Sequence, residues 1–462
     1  MTNGSHRLGP FRRRIREARV SRDPSARRVA FDVLRQVSGE DAYANLALAK
    51  RLARAGLETR DAAFATELVA GTCRLRGTYD AIIESASGRG LKTMQPAVVD
   101  LLRLLAHQAL SMTVPARAAV ATTVELARGT VGQRVTGLVN AVGRRITARD
   151  LQEWVELLSE GLDETGGLAI RTHHPRWIVE ALERVLPENE VARALEADNL
   201  APRPTLVVRP GLAEVGELAP AVPTVYSPFG AVLDGTPGDV AAVREGRAGV
   251  QDEGSQLVCL ALTRVEAPSG PWLDLCAGPG GKAALLAGLA RERGEHLVAN
   301  EVAAHRAGLV ERALAAYPAG TASVVCSDGR DPEPVRSHGP FARIMVDAPC
   351  SGLGALRRRP EARWHRTPAD LAELVSLQRA LLETATGLLV PGGAVAYVTC
   401  SPHVDETAAI VEAALKNNPR LELLDAAALL PEVPGASRGG YVQLWPHRHG
   451  TDAMFLALLR RR

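Results

Sequence analysis

The chain has 462 residues, room for two or three domains of ordinary size. Hydrophobic residues make up 46% and aromatic residues only 4%, so Leu, Val and Ala must build the cores. The net charge of +3 is near neutral for this length. No apolar run approaches the ~18 residues of a membrane span, and the basic start lacks the apolar stretch of a secretory signal, so a cytoplasmic protein is expected.

The basic charge is concentrated at the start. Residues 1–30 hold nine Arg against Glu17 and Asp23, and Arg12, Arg13, Arg14 and Arg16 cluster. Residues 1–23 read as a flexible basic arm, either a solvated tail or a phosphate-contacting segment. Asp23-Pro24 is a helix-start signal, with Asp as cap and Pro at the first position. Residues 24–148 then read as all helix. Val29, Ala30, Val33, Leu34 and Val37 share one helical face. The same spacing recurs in Phe64, Ala65, Leu68 and Val69, and again in Val98, Leu101, Leu102, Leu105 and Ala109. Pro115 opens another helix carrying Ala119, Val120, Val124 and Leu126. A helical bundle with its own core follows.

Residues 149–172 read as a connecting helix and a loop containing Gly161, Gly166 and Gly167. From 173 to 245, a helix around 177–186 leads into short Val-rich runs punctuated by Pro210, Pro220, Pro223, Pro228 and Pro237, a small α/β subdomain. Residues 246–462 alternate short apolar strands, at 272–275, 297–301, 323–326, 344–346 and 394–399, with helical stretches such as 282–293 and 368–389. That alternation predicts an α/β domain: a mostly parallel sheet with helices on both faces.

The turn after the first of these strands reads Leu273-Asp274-Leu275-Cys276-Ala277-Gly278-Pro279-Gly280-Gly281-Lys282. Its glycines allow close backbone approach to a ligand, and ligands bind at the carboxyl ends of such strands. Glu301 ends the second strand, where a carboxylate can accept both hydroxyls of a ribose; Asp328 follows the third, placed for an adenine amino group. A dinucleotide dehydrogenase is the rival, but it predicts G-x-G-x-x-G where this chain has G-P-G-G-K, and no hydride-transfer site is evident.

The six cysteines are Cys73, Cys259, Cys276, Cys326, Cys350 and Cys400; none forms a C-x-x-C pair, so neither a metal site nor a disulfide framework is expected. Cys73 and Cys259 read as buried core thiols, and Cys276 and Cys326 as lining or supporting the cofactor site. Cys350, in Asp347-Ala348-Pro349-Cys350-Ser351-Gly352, and Cys400, in Thr399-Cys400-Ser401-Pro402, each open a polar turn at the carboxyl edge. A thiolate there has a clear chemical use. Carbon 5 of cytosine is a poor nucleophile, but adding a thiolate to carbon 6 makes an enamine that can attack a sulfonium methyl. A carboxyl group such as Asp347 can assist at N3.

These segments resemble the RsmB/Sun (Fmu) family of RNA (cytosine-5) methyltransferases. The likeness rests on Val250–Gln256, the loop at 273–282, the Pro-Cys segment 347–354, 357–364, Thr399-Cys400-Ser401, Pro446 and His449-Gly450-Thr451-Asp452. The helical front, through Arg60–Val69, Val114-Pro115-Ala116 and Leu138-Val139-Asn140-Ala141-Val142, resembles a NusB-like RNA-binding domain. The resemblance implies a Rossmann-like methyltransferase domain behind that helical domain, with S-adenosylmethionine as cofactor and small-subunit (16S) ribosomal RNA as partner. It implies Cys400 as nucleophile, Cys350 assisting release, Asp347 as a catalytic group, and Cys276, Ala277, Gly278, Pro279, Gly280, Gly281, Lys282, Glu301, Asp328 and Asp347 as cofactor contacts. DNA cytosine methyltransferases use the Pro-Cys cysteine, which makes Cys350 the rival nucleophile. A transfer RNA cytosine-5 methyltransferase and a non-catalytic assembly or antitermination factor are the alternative functions. Three departures stand out. Val208-Arg209-Pro210 replaces Arg-Val-Asn, the stretch Pro402-His403-Val404-Asp405-Glu406-Thr407 stands where Glu-Asn-Glu is commoner, and Asp452-Ala453-Met454-Phe455 replaces Asp-Gly-Phe-Phe. Arg357-Arg358-Arg359 reads as phosphate-holding or as a solvated loop. His403, His447, His449 and Gln378 read as structural.

Overall fold

The structure, a computed structural model, describes residues 25–40 and 42–462. The basic arm and the Asp23-Pro24 helix start lie outside these residues. The helical region opens with Ala26–Glu40 and runs through Ala44–Ala55, Thr59–Arg74, Arg76–Ser87, Pro96–Leu110, Ala116–Thr130 and Thr136–Ile146. The expected faces meet in one core: Val29, Val33, Leu34, Leu68, Val69, Leu101, Leu102 and Leu105 are buried together. Helix Pro96–Leu110 is the axis, buried around nearly its whole circumference.

Residues 149–172 differ from expectation. They form two helices, Leu151–Ser159 and Glu164–Arg171, and Gly166 and Gly167 lie inside the second. The reason is capping. Asp150 accepts from the backbone of Glu153, whose side chain returns the bond, and Asp163 accepts from Gly166. Helices Arg176–Glu183 and Glu188–Ala197 then lead into an antiparallel sheet of β1 (Thr205–Val208), β2 (Val222–Pro223), β3 (Gly230–Val232) and β4 (Ala248–Val250), ordered β2-β3-β1-β4.

The larger sheet is built from β5 (Trp272–Asp274), β6 (Leu297–Asn300), β7 (Ala322–Val325), β8 (Phe341–Asp347), β9 (Leu389–Thr399), β10 (Leu421–Leu424), β11 (Ser437–Arg438), β12 (Tyr441–Gln443) and β13 (Phe455–Arg461). Its order is β11-β12-β13-β9-β8-β5-β6-β7, with β10 also on β13. The five strands β5 to β9 are parallel, as expected. Strands β10 to β13 are antiparallel additions, with β13 lying along β9 from Phe455 opposite Thr399 to Arg460 opposite Ala394. Two apolar layers cover the faces: helices Glu253–Arg264 and Gly281–Glu292 on one, and helices Pro368–Leu388 and Ala408–Asn417 on the other. Strands buried on both faces read as continuous apolar runs, which is why Ile344, Met345 and Val346 follow one another. No described helix is long and apolar enough to cross a membrane.

Candidate active site

The carboxyl ends of β5, β6, β8 and β9 converge on one place, and the loops that follow them carry the candidate groups. After β5, Gly278 donates its N–H to Glu301 Oε2 at 3.0 Å. A Cβ on Gly278 would sit 2.1 Å from that oxygen, so the close approach requires glycine. Gly280, at φ 110°, starts helix Gly281–Glu292; a Cβ there would meet Ala313 Cβ at 2.6 Å. Glu301 is buried, accepts from Ala303 N–H at 3.0 Å through Oε1, and has Arg306 3.5 Å away. Asp328 is half-buried and ion-paired with Arg330, whose guanidinium holds its carboxyl at about 2. Cys276 is half-buried in the loop, whereas Cys326 is exposed, its thiol 3.8 Å from Val302 O; the expectation that Cys326 supports the site finds no contact with it.

Lys282, the second residue of its helix, donates to Asp347 Oδ2 at 2.8 Å. Burial works against the ammonium, but the Asp347 carboxylate more than offsets it and the lysine pKa is raised. Asp274 ends β5 wholly buried, neither carboxylate oxygen having a hydrogen-bond partner. Burial first, and the Asp347 charge second, push it up to about 7.

Cys350 follows β8 and Cys400 follows β9, on neighbouring parallel strands. Both are half-buried, and their sulfurs lie 3.5 Å apart. The hydrogen bond between them divides the pair: it lowers the pKa of Cys400, against the cost of burial, and holds Cys350 well above the ordinary thiol range. Lys282 adds to the depression at Cys400, while the carboxylate of Asp347 opposes it. The loops are tied by backbone contacts as well. Gly354 N–H donates to Cys400 O at 2.8 Å, and Ala453 N–H donates to Gly354 O at 2.8 Å.

Cys73 and Cys259 are buried core thiols, as expected, with burial pushing Cys73 up to about 12. For Arg357 the phosphate-holding expectation is corrected. Arg357 is buried between Asp252 and Asp452, at 3.5 Å and 3.3 Å, and Arg358 is ion-paired with Asp452. Arg359 stacks over Tyr43 at 5.0 Å. His403, His447 and His449 serve local contacts: His447 meets Glu190 at 2.9 Å and His449 accepts from Trp445 N–H at 2.9 Å. Among the described residues no group of three or more His, Cys, Asp or Glu could hold a metal ion.

Two features escaped the sequence. One is Glu406, fully buried, which gathers Ser351, Ser401 and Gln378 around its carboxylate. Its only sequence signal is its place shortly after Thr-Cys-Ser. The other is Arg363, fully buried, donating to Arg74 O, His173 O, Asp198 O and the Asn199 side chain, with Trp364 beside it donating to Cys73 O at 2.7 Å. The loop after Cys350 therefore plugs into the helical region.

Family comparison agrees with this geometry. Residues 259–460 match the model of the 16S rRNA methyltransferase RsmB/F family, and residues 24–148 match the NusB family. A protein named as a methyltransferase from Mycobacterium tuberculosis is 50% identical over 98% of both chains. Ribosomal RNA small subunit methyltransferase B of Vibrio cholerae is 33% identical, over 88% of this chain and 91% of its own. The chain belongs to the RsmB/F methyltransferase family. Its fold is also that of the crystal structure of PH0851, with a TM-score of 0.78 at 22% identity over 95% of this chain and 99% of that one. This RsmB/F protein is an S-adenosylmethionine-dependent RNA cytosine-5 methyltransferase with a NusB-like RNA-binding domain in front.

The residues present suit that cofactor. The glycine loop is bare enough for backbone contact at a helix start, and a Cβ on Gly281 would have nothing nearer than Gln251 at 3.9 Å. Carboxylates at 301, 328 and 347 ring the strand ends. Such a set accepts hydrogen bonds from ribose hydroxyls and amino groups and favours a positive sulfonium.

Proposed function

We propose that this enzyme methylates carbon 5 of a cytosine in 16S ribosomal RNA through a covalent bond between Cys400 and carbon 6. The observation that carries the reading is the pair of sulfurs 3.5 Å apart at adjacent strand ends, beside the Lys282–Asp347 pair. The family description and the relatives named for the small ribosomal subunit support the substrate. The chain divides in this reading at 148/149 and 245/246, with the helical domain adding RNA-binding surface.

S-adenosylmethionine supplies an electrophilic methyl group. Residues 276–282, Glu301, Asp328 and Asp347 would hold it. The target cytosine must be unpaired or flipped so that both faces of the ring are reached. Cys400, the sulfur with the depressed pKa, adds to carbon 6, while Asp347 hydrogen-bonds the base near N3. Carbon 5 then carries enamine electron density and is the atom to which a bound sulfonium would give its methyl, leaving as the thioether. Loss of the carbon 5 proton to water, as the bond between carbon 6 and sulfur breaks, restores the double bond and frees the Cys400 thiolate, which Cys350 assists by hydrogen bonding. The proton that Cys350 holds toward Cys400 is the one best placed for the departing sulfur.

The test combines the protein, labelled S-adenosylmethionine and deproteinised small-subunit RNA. Transfer to cytosine is expected in wild type, none in Cys400→Ser, and a stalled covalent protein–RNA adduct in Cys350→Ala. Activity retained in Cys400→Ser and lost without adduct in Cys350→Ala would exchange the two cysteines. Transfer to transfer RNA alone would move the substrate, and no transfer to any RNA would leave a binding factor.

A further inference from the structure

The mechanism above uses the two cysteines but leaves unexplained what holds them at one separation. Each sits at the start of a loop, and loops drift unless tied. The residue after each cysteine is a serine, and both serines end on the same carboxylate. Ser351 N–H donates to Glu406 Oε1 at 2.7 Å and Ser351 Oγ to Oε2 at 2.5 Å. Ser401 Oγ donates to Oε2 at 2.7 Å, and the two hydroxyls are 3.1 Å apart. Gln378, from helix Pro368–Leu388, bridges Pro349 O at 2.8 Å and Glu406 Oε1 at 3.1 Å. Tyr397 on β9 donates to the Glu406 backbone carbonyl at 2.8 Å. Glu406, Ser401 and Gln378 are fully buried and Ser351 nearly so, so water does not compete for these bonds.

We infer that Glu406 is a positioning residue: one buried carboxylate clamps the Cys350 and Cys400 loops through Ser351 and Ser401 and so sets the separation of the two sulfurs. The inference rests on the function proposed above only in calling those sulfurs catalytic. The clamp also acts electrostatically. The Glu406 charge adds to the elevation of Cys350, after its bond to Cys400 and its burial, and so helps keep the proton there. The other charged and titratable groups bearing on the pair are Lys282, Asp347, Asp452, Arg358 and Tyr397. None of them bonds both loops.

Two variants separate charge from geometry. Glu406→Gln keeps an acceptor for Ser351 N–H and Gln378 and removes the charge. Ser351→Ala with Ser401→Ala keeps the charge and cuts the hydroxyl ties. Alkylation of each cysteine by iodoacetamide against pH, read by mass spectrometry on the full chain without RNA or cofactor, reports the thiolate directly. In both variants the Cys400 midpoint is expected to rise, and in Glu406→Gln the Cys350 midpoint is also expected to fall. In methyl transfer, Glu406→Ala is expected to lose about a hundredfold in kcat with KM for RNA unchanged, and Glu406→Gln to recover part of it. Unchanged cofactor binding by calorimetry shows that the variants are folded. A Cys400 midpoint that stays put in both Glu406→Gln and the double serine variant overturns the clamp. Shifted midpoints together with a wild type that methylates no RNA leave the clamp standing and remove the proposed function instead.

Discussion

Asp274 carries a pH dependence of its own. It is buried at the end of β5 with no hydrogen-bond partner on either oxygen. Folding raises its pKa from the ordinary 3.8 to about 7, chiefly by burial, so the fold prefers the protonated form. The stability this contributes is complete below about pH 3.8 and is lost as the pH rises through 7. Urea unfolding at pH 5 and pH 8 is expected to show a fall in wild-type stability that Asp274→Asn reduces. An equal fall in both would place the buried charge elsewhere. Residue-level chemistry was legible where it is written in types and neighbours, as in Pro349-Cys350 and Thr399-Cys400. It was not legible for Glu406, because an acid in the run His403-Val404-Asp405-Glu406 looks like surface until the chain turns it inward.

The parallel strands were readable because their buried stretches, such as Leu297-Val298-Ala299, Ile344-Met345-Val346 and Ala394-Val395-Ala396-Tyr397-Val398, are continuous apolar runs. The antiparallel strands were not. β11 and β12 span two and three residues and are set off by Pro431, Pro434 and two glycines, below the length at which period-two alternation is distinct from a loop. They matter for the site because the segment before β13 touches the Cys350 loop. A Cβ on Gly354 would lie 2.1 Å from Ala453 O and 2.9 Å from Cys400 O. Backbone atoms cannot retreat as a flexible side chain can. Gly354→Ala is therefore expected to push the two cysteine loops apart, with a loss of methyl transfer of about a hundredfold and a lower melting temperature. Full activity in that variant would mean the loops have slack that the structure does not show.

Across the whole molecule, the catalytic sheet and the helical domain are joined by a loop of the sheet domain. Arg363 is fully buried and feeds four acceptors on two other parts of the chain, and burial lowers its pKa to about 10. Trp364 closes against Gly77, where an added Cβ would be 2.3 Å from the indole. Arg363→Met leaves those acceptors unpaired and is expected to cost about 3 kcal/mol. Calorimetry is expected to show the helical domain melting separately in the variant. A single unshifted transition would show that the domains are coupled by other contacts.

The antiparallel pairing of β9 with β13 bears on how the protein is made. Thr399, the residue before Cys400, pairs with Phe455, well downstream in the chain. At about 5–20 residues per second, translation leaves the Cys400 strand with one open edge for several seconds. The apolar core of the helical bundle is drawn from residues 26–154, all made before Thr399, so it can close during that time. The nascent chain can thus close its helical domain before the Cys400 strand has both of its neighbours.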